Sequence, residues 1–432
     1  MNNKLLEKKT DKLGYFAPAA FLLAGLMPEY VAPFFTAVGF FVVLRNRIAT
    51  KSGMRFGIIG INIAVIIGWI TIGSFYSSSA ISALASIGLW LLMFMGYFLF
   101  TETVDSPEKI DCVMFCGGLS AGIAGIIGVG QMFLYHFSPT VSKIFNPFWH
   151  CLNMLAEKLV LILPEFIKSS MPSMTFHSFD TRACSTFTNP LFFATIEVVL
   201  LPFAAYVFLC SESRKRRIIG FFCLLCTIGG IACSYSRGPY LFAVIVFGVL
   251  LLYGFKKGLK LAAVGGVSLG ALFIFARGIF KRLLTLLNGK DISVNTRIDI
   301  LGSVFDIIHK KPIFGYGTGF DNTRQLLHEV YNIRQPHAHN IFLEIWVENG
   351  IFGVLLLAAV FIIAIIGTLR LLKRGGKARE FGVTLLASVI GFILCGMTDC
   401  IFYGLKPLQY LMMILGLAQA AFTIYLTKST ED

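Results

Sequence analysis

Charge is scarce in this chain: 14% of its 432 residues are Asp, Glu, Lys or Arg, against 56% hydrophobic residues. With a mean hydropathy of +0.77, that balance excludes an ordinary soluble domain of this length. Segments of about ten residues alternating apolar with polar are missing, which excludes an outer-membrane barrel. Internal repeats are missing as well. The ten cysteines show no zinc spacing. Cys223 and Cys226 form a C-x-x-C inside an apolar run, where cysteine acts as a small hydrophobe. Cys151 and Cys184 share one expected outer loop, and spacing alone does not decide whether they pair.

What the chain has instead is long apolar runs. A helix needs roughly 20 apolar residues to cross a ~30 Å hydrocarbon core. Such runs recur at about 15–28, 30–44, 56–73, 80–100, 111–135, 189–209, 217–233, 238–254, 260–277, 350–371, 381–403 and 407–427. The expected fold is therefore an all-α polytopic membrane protein: residues 1–432 form one membrane domain of about 12 transmembrane helices. Lys4, Lys8, Lys9 and Lys12 precede the first run as in a signal peptide. No small-residue cleavage site follows, so that run is read as a retained helix with a cytoplasmic N-terminus.

The net charge of +14 would suggest nucleic acid in a soluble protein, but here it sits mostly in short loops, where positive-inside bias accounts for it. Alternating sides from a cytoplasmic start puts Arg45, Arg47, Lys51, Arg55, Arg214 to Arg217, Lys256 to Lys260, Arg370 to Arg379 and the C-terminus inside. Two long loops fall outside. The first, 136–188, carries apolar residues at helical spacing near Trp149, as in a helix lying on the membrane surface. The second, 278–349, is polar and basic, and four of the seven histidines lie between His309 and His339.

Several residues on that outer side suit chemistry. Asn189-Pro190 reads as the cap and first residue of one helix, and SYSRGPY opens another with Ser234 or Ser236 as cap and Arg237 at its mouth. Helix starts offer free N–H groups to anions, and an arginine there adds a bidentate fork. Arg237 and Arg182 are equally readable as headgroup anchors. Arg297 opens an amphipathic helix capped by Asn295 or Thr296, with Ile298, Leu301, Phe305 and Ile308 on one face. The GYGTGF run after Pro312 reads as a turn, because no buried strand precedes it. His339 and Asn340 head a helical segment in which Asn340, Glu344 and Glu348 repeat opposite an apolar stripe, with the membrane span starting near Gly350. His339 can take a proton from a hydroxyl near neutral pH, or serve structurally by bonding loop backbone. His337 and His339, one residue apart, are weak evidence for a metal. Asp399 is an intramembrane acid and a functional candidate for that reason.

His339-Asn340, nine residues, Gly350, two residues and Gly353 resemble the signature of the O-antigen ligase and O-antigen polymerase superfamily, membrane-embedded GT-C-like glycosyltransferases. NTR…KPIFGYGTGF, SYSRGPY and RACSTFTNP resemble that family's other segments, although Leu191 stands where an asparagine is common. The resemblance covers about 180–355; the first 180 residues match only in hydropathy. It implies a glycan moved from undecaprenyl pyrophosphate to an acceptor hydroxyl on the outer face of the bacterial inner membrane, with inversion and without metal or cofactor. It makes His339 the general base, Arg237 and Arg297 the pyrophosphate clamp, and Arg182, Asp399, His337, Asn340 and Glu344 supporting residues. The acceptor is another lipid-linked repeat in a polymerase, or lipid A-core in a ligase. Composition and the sizeable first outer loop lean slightly to polymerase. A chain-length regulator is a further expected partner and nucleic acid is not. The competing class is a transporter or flippase for a lipid-linked or anionic solute, which requires charge near mid-membrane.

Overall fold

The computed structural model describes residues 13–29, 31–137, 182–253, 292–333 and 335–427. The expected surface helix near Trp149, the run at 260–277, Cys151, and the first twelve residues lie outside these. The described residues contain helices and turns without a strand. In chain order the helices are α1 (Phe16–Leu26), α2 (Ala32–Ala49), α3 (Gly57–Ser74), α4 (Ala80–Thr103), α5 (Pro107–Phe137), α6 (Pro190–Cys210), α7 (Arg214–Cys233) and α8 (Arg237–Leu252). They continue with α9 (Ile292–Lys310), α10 (Phe320–Tyr331), α11 (Ile341–Arg374), α12 (Gly376–Gly396) and α13 (Leu405–Phe422).

Nine of the described helices are long and apolar enough to cross a membrane; the expected twelve include the run at 260–277, outside the described residues, so that exact number is not confirmed. α1 has 11 residues, about 16 Å of helix, and is too short to cross by itself because Pro28 and Glu29 end it. α8 is likewise short, at 16 residues.

At the centre lies α6, apolar apart from the buried Thr195 and Glu197, with 83% of its membrane window buried. It is enclosed by α5, α7, α8 and α12. α13, mostly buried as well, packs along α4. In lipid, close helix approach depends on small residues, and α5 uses them against α7: a Cβ on Gly125 would lie 2.3 Å from the Cys226 carbonyl oxygen, and one on Gly122 2.6 Å from Cys223 Sγ. Cys223 and Cys226 thus serve as small packing residues on a helix contact. Outward, Phe34, Phe41, Ile61, Leu91, Leu241 and Ile362 are exposed, as lipid-facing positions require.

The turns sort into two ends. At one end Arg47 pairs with Glu102, Arg216 with Asp111 at 2.6 Å and Lys377 with Glu212 at 3.1 Å. These are the loops that sequence alternation grouped together as basic. At the other end the Glu29 carboxylate accepts from Thr188 Oγ1 at 2.6 Å, and Arg182 reaches the α7–α8 junction. The polar segment around α9 and α10 stands at this end as well, with Asn322 bonded to Ser77 and Ser78 of the α3–α4 turn.

Candidate functional site

Asn340 ends the polar segment and starts α11. Its Oδ1 accepts from the N–H groups of Phe342 at 2.9 Å and Leu343 at 3.1 Å, satisfying two of the donors that a helix start leaves open. Its Nδ2 donates to the Met397 carbonyl at 3.2 Å, tying this start to the end of α12. His339, just before the cap, takes φ +51°, a left-handed conformation in which histidine is enriched among non-glycine residues. Its Nδ1 lies 3.0 Å from Asp399 Oδ1. His337 Nδ1 lies 3.9 Å from the same oxygen, and the two imidazoles stand edge to face with centroids 4.3 Å apart. Four expected residues from two distant parts of the chain therefore meet: His337, His339, Asn340 and Asp399.

Beneath them, Glu344 and Glu348 are not a solvated face but buried. Glu344 Oε2 accepts from the Ala338 N–H at 2.7 Å, which fixes the backbone between the two histidines. Tyr403, from the 3-10 turn after α12, donates to Glu344 Oε1 at 2.7 Å and also contacts Glu348 Oε1. Sequence reasoning missed Tyr403 altogether; it sits in an apolar run with no motif around it. A small, partly open cleft is lined here by Glu344, Glu348, Tyr403, Thr318, Ser86 and Trp90 among others.

The GYGTGF segment is the turn it was read to be. Tyr316 and Gly317 donate to the carbonyls of Val347 and Glu348, both at 2.8 Å, and Thr318 Oγ1 donates to Asn349 Oδ1 at 2.8 Å. It is a brace for the break in α11 at Gly350.

Arg182 uses its guanidinium on the α7–α8 junction: Nε donates to the Ser234 carbonyl at 2.9 Å and Nη2 to Ser236 Oγ at 2.6 Å. Arg182 and the Arg237 helix start are thus one unit. Asn189 caps α6 as expected, accepting from Leu191 N–H at 2.8 Å. Ser236 occupies the cap position of α8 but makes no capping bond, its hydroxyl being committed to Ser234 and Arg182.

Two expectations about Arg297 change. α9 begins at Ile292, so Asn295 and Thr296 lie inside its first turns and do not cap it. Its buried face is Ile300, Val304, Ile307 and Ile308, packed with Leu327, Ala338 and Val347. Ile298 and Phe305 are exposed. The helix has turned because this separate small core, and not the membrane bundle, takes its apolar side. Arg297 acts electrostatically on His337.

Burial disfavours the charged form of His337 and lowers its pKa to about 4; Asp399 opposes that shift, while the charges of His339 and Arg297 add to it. For Asp399, burial pushes upward, but the bond from His339 and the charges of both histidines outweigh it and hold the carboxyl below its ordinary value. The unfolded chain binds a proton on His337 below its ordinary 6.5, and the folded chain does so only near 4. Detergent-purified protein should accordingly lose stability as pH falls through that window, by about 3 kcal/mol at most before solvent screening. Asp399 acts in the same direction at lower pH, its contribution being lost as pH falls through its folded value. Thermal midpoints between pH 7 and 4 check this: His337→Gln should flatten the slope, and an unchanged slope would refute the assignment.

Comparison with known proteins adds to this geometry. Residues 221–358 match a family model described as O-antigen ligase. The matched stretch holds Arg237, Arg297, His339, Gly350 and Gly353; Arg182 and Asp399 lie outside it. An uncharacterized protein of Haemophilus influenzae is 28% identical over 178 residues, 36% of this chain and 44% of that relative. The match spans less than half the length of the relative.

Proposed function

We propose that this chain, whose residues 221–358 match a family model described as O-antigen ligase, is a metal-independent inverting glycosyltransferase that moves a glycan from undecaprenyl pyrophosphate to an acceptor hydroxyl. The observation that carries this reading is the 3.0 Å contact between His339 Nδ1 and the buried Asp399 carboxylate. An ionised Asp399 can only accept, so Nδ1 carries the proton and Nε2 keeps its lone pair. Nε2 takes the proton of the acceptor hydroxyl as its oxygen attacks the anomeric carbon from the face opposite the pyrophosphate. The bond between that carbon and the pyrophosphate oxygen breaks, and the leaving group carries away the charge. Arg297, and Arg237 at the start of α8, stabilise that charge, where preorganised electrostatics contribute most. Arg182 acts by holding the Ser234–Ser236 junction from which Arg237 projects.

The basic loops collect at the opposite end of the bundle. Positive-inside bias assigns that end to the cytoplasm and the His339 end to the outer face of the bacterial inner membrane. The acceptor is a second lipid-linked repeat or lipid A-core, with polymerase slightly favoured.

A transporter reading gains one observation: Glu197 and Lys406, both fully buried, face one another electrostatically inside the bundle. One reconstitution separates the two. Purified protein in liposomes, with EDTA and an undecaprenyl-pyrophosphate-linked repeat, should release undecaprenyl pyrophosphate and form a longer or newly attached glycan. Movement of intact donor across the bilayer without release would overturn glycosyl transfer, and loss of release with EDTA would overturn its metal independence.

A further inference from the structure

The two histidines and the aspartate have a second chemical capacity. His337 Nδ1, His339 Nδ1 and an Asp399 carboxylate oxygen all lie within 4.8 Å of one another. A tetrahedral zinc with bonds of about 2.0–2.2 Å separates its donors by roughly 3.4 Å. The present separations from Asp399 Oδ1, 3.0 Å to His339 and 3.9 Å to His337, bracket that value, so small side-chain rotations suffice. His337 Nδ1 is buried and makes no hydrogen bond, a ring nitrogen 3.9 Å from the shared carboxylate with its bonding capacity unused. Two imidazoles and one carboxylate leaving further positions open is a donor set suited to zinc and neighbouring transition metals, not to magnesium or calcium, which prefer oxygen alone. Arg297 also acts electrostatically on His337, and it weakens the site without removing a donor.

We propose that His337, His339 and Asp399 form an inhibitory zinc site superimposed on the catalytic base. Metal capture rests on the donor geometry alone; inhibition rests on the glycosyl-transfer reading. A metal on His339 Nδ1 displaces the proton bonded to Asp399, and the neutral imidazole then carries its proton on Nε2. The nitrogen that accepts the hydroxyl proton becomes a donor, and Asp399 is withdrawn to the metal. His337, idle in the transfer step, becomes the residue that makes capture tight.

The test counts metal directly. Full-length protein in detergent, stripped with EDTA and dialysed, is titrated with cobalt followed by visible absorption, then with zinc as competitor, and bound zinc is measured by mass spectrometry. Stoichiometric binding, unaffected by excess magnesium or calcium, is expected. His337→Gln and Asp399→Asn should each weaken it on the order of 10–100-fold, in variants that keep the wild-type gel-filtration profile. Equal binding by both variants would place the metal on other histidines and overturn the site. In the transfer assay, micromolar zinc should inhibit and EDTA should restore activity. Zinc bound at this site with transfer unchanged would overturn the inhibition. Absence of transfer even with EDTA would instead count against the glycosyltransferase reading and leave the metal count standing.

Discussion

Replacing His339 with alanine is expected to lower release of undecaprenyl pyrophosphate by about 10²–10⁴-fold, the range that a positioned general base contributes. Asp399→Asn should cost nearly as much although it removes no base. An amide at 3.0 Å from His339 Nδ1 can present its N–H there and stabilise the opposite tautomer, with the proton on Nε2; a comparable change in a serine-protease triad costs on the order of 10⁴. Because the two residues act as one unit, their effects should not add. The double variant should be no slower than His339→Ala alone. Initial rates with EDTA present, for wild type, both single variants and the double, give the result. Wild-type turnover in Asp399→Asn would remove the dyad as the means of orienting the base. An additive double variant would mean that Asp399 acts elsewhere, for example on the packing of Cys400 and Tyr403.

The sequence allowed the spans, their alternation and the residues around His339 to be read, because each depends on local pattern. Length and apolarity identify a membrane helix, and charge bias orders its ends. The Asn189 cap was equally legible, since a cap bonds within three residues of itself. What stayed hidden depends on partners far along the chain. Nothing near Tyr403 signals that its hydroxyl joins Glu344 and Glu348. Those glutamates repeat at helical spacing in the same way whether water or protein covers them. The face of α9 was misjudged for a related reason. A helix with apolar residues on adjoining faces can be turned either way, and Leu327 and Val347 decided it. Arg182 and Arg237 looked like two separate cations, and only the Ser234–Ser236 junction joins them.

Gly350→Ala is expected to be the most damaging glycine-to-alanine change among the described residues. At Gly350 φ is +67° and ψ −171°, a region that essentially only glycine occupies, costing side-chain-bearing residues about 1–3 kcal/mol. Sterics add to this: a Cβ there would lie 1.9 Å from the Ile313 carbonyl oxygen, backbone that cannot rotate aside. The break is built into the surrounding hydrogen bonds. Ile351 N–H, which a continuous helix would direct to Val347, donates to the Pro312 carbonyl at 3.0 Å. The carbonyls thereby freed are satisfied from outside: Val347 by Tyr316, Glu348 by Gly317, and Asn349 by the Trp69 indole at 2.9 Å. Straightening the helix to relieve an alanine would strand these donors in a buried setting, where each costs about 1–3 kcal/mol. It would also shift the segment carrying Glu344 and His339. A loss on the order of 3 kcal/mol or more follows, seen as a fall in the detergent thermal midpoint of about 5 °C or more. Activity should be lost with it. Gly248 in α8 is the control, since a Cβ there meets nothing within 4 Å, and Gly248→Ala should leave the midpoint unchanged or slightly raised. A Gly350→Ala protein with wild-type midpoint and turnover would show that the kink is dispensable and that the motif glycine answers to something other than backbone geometry.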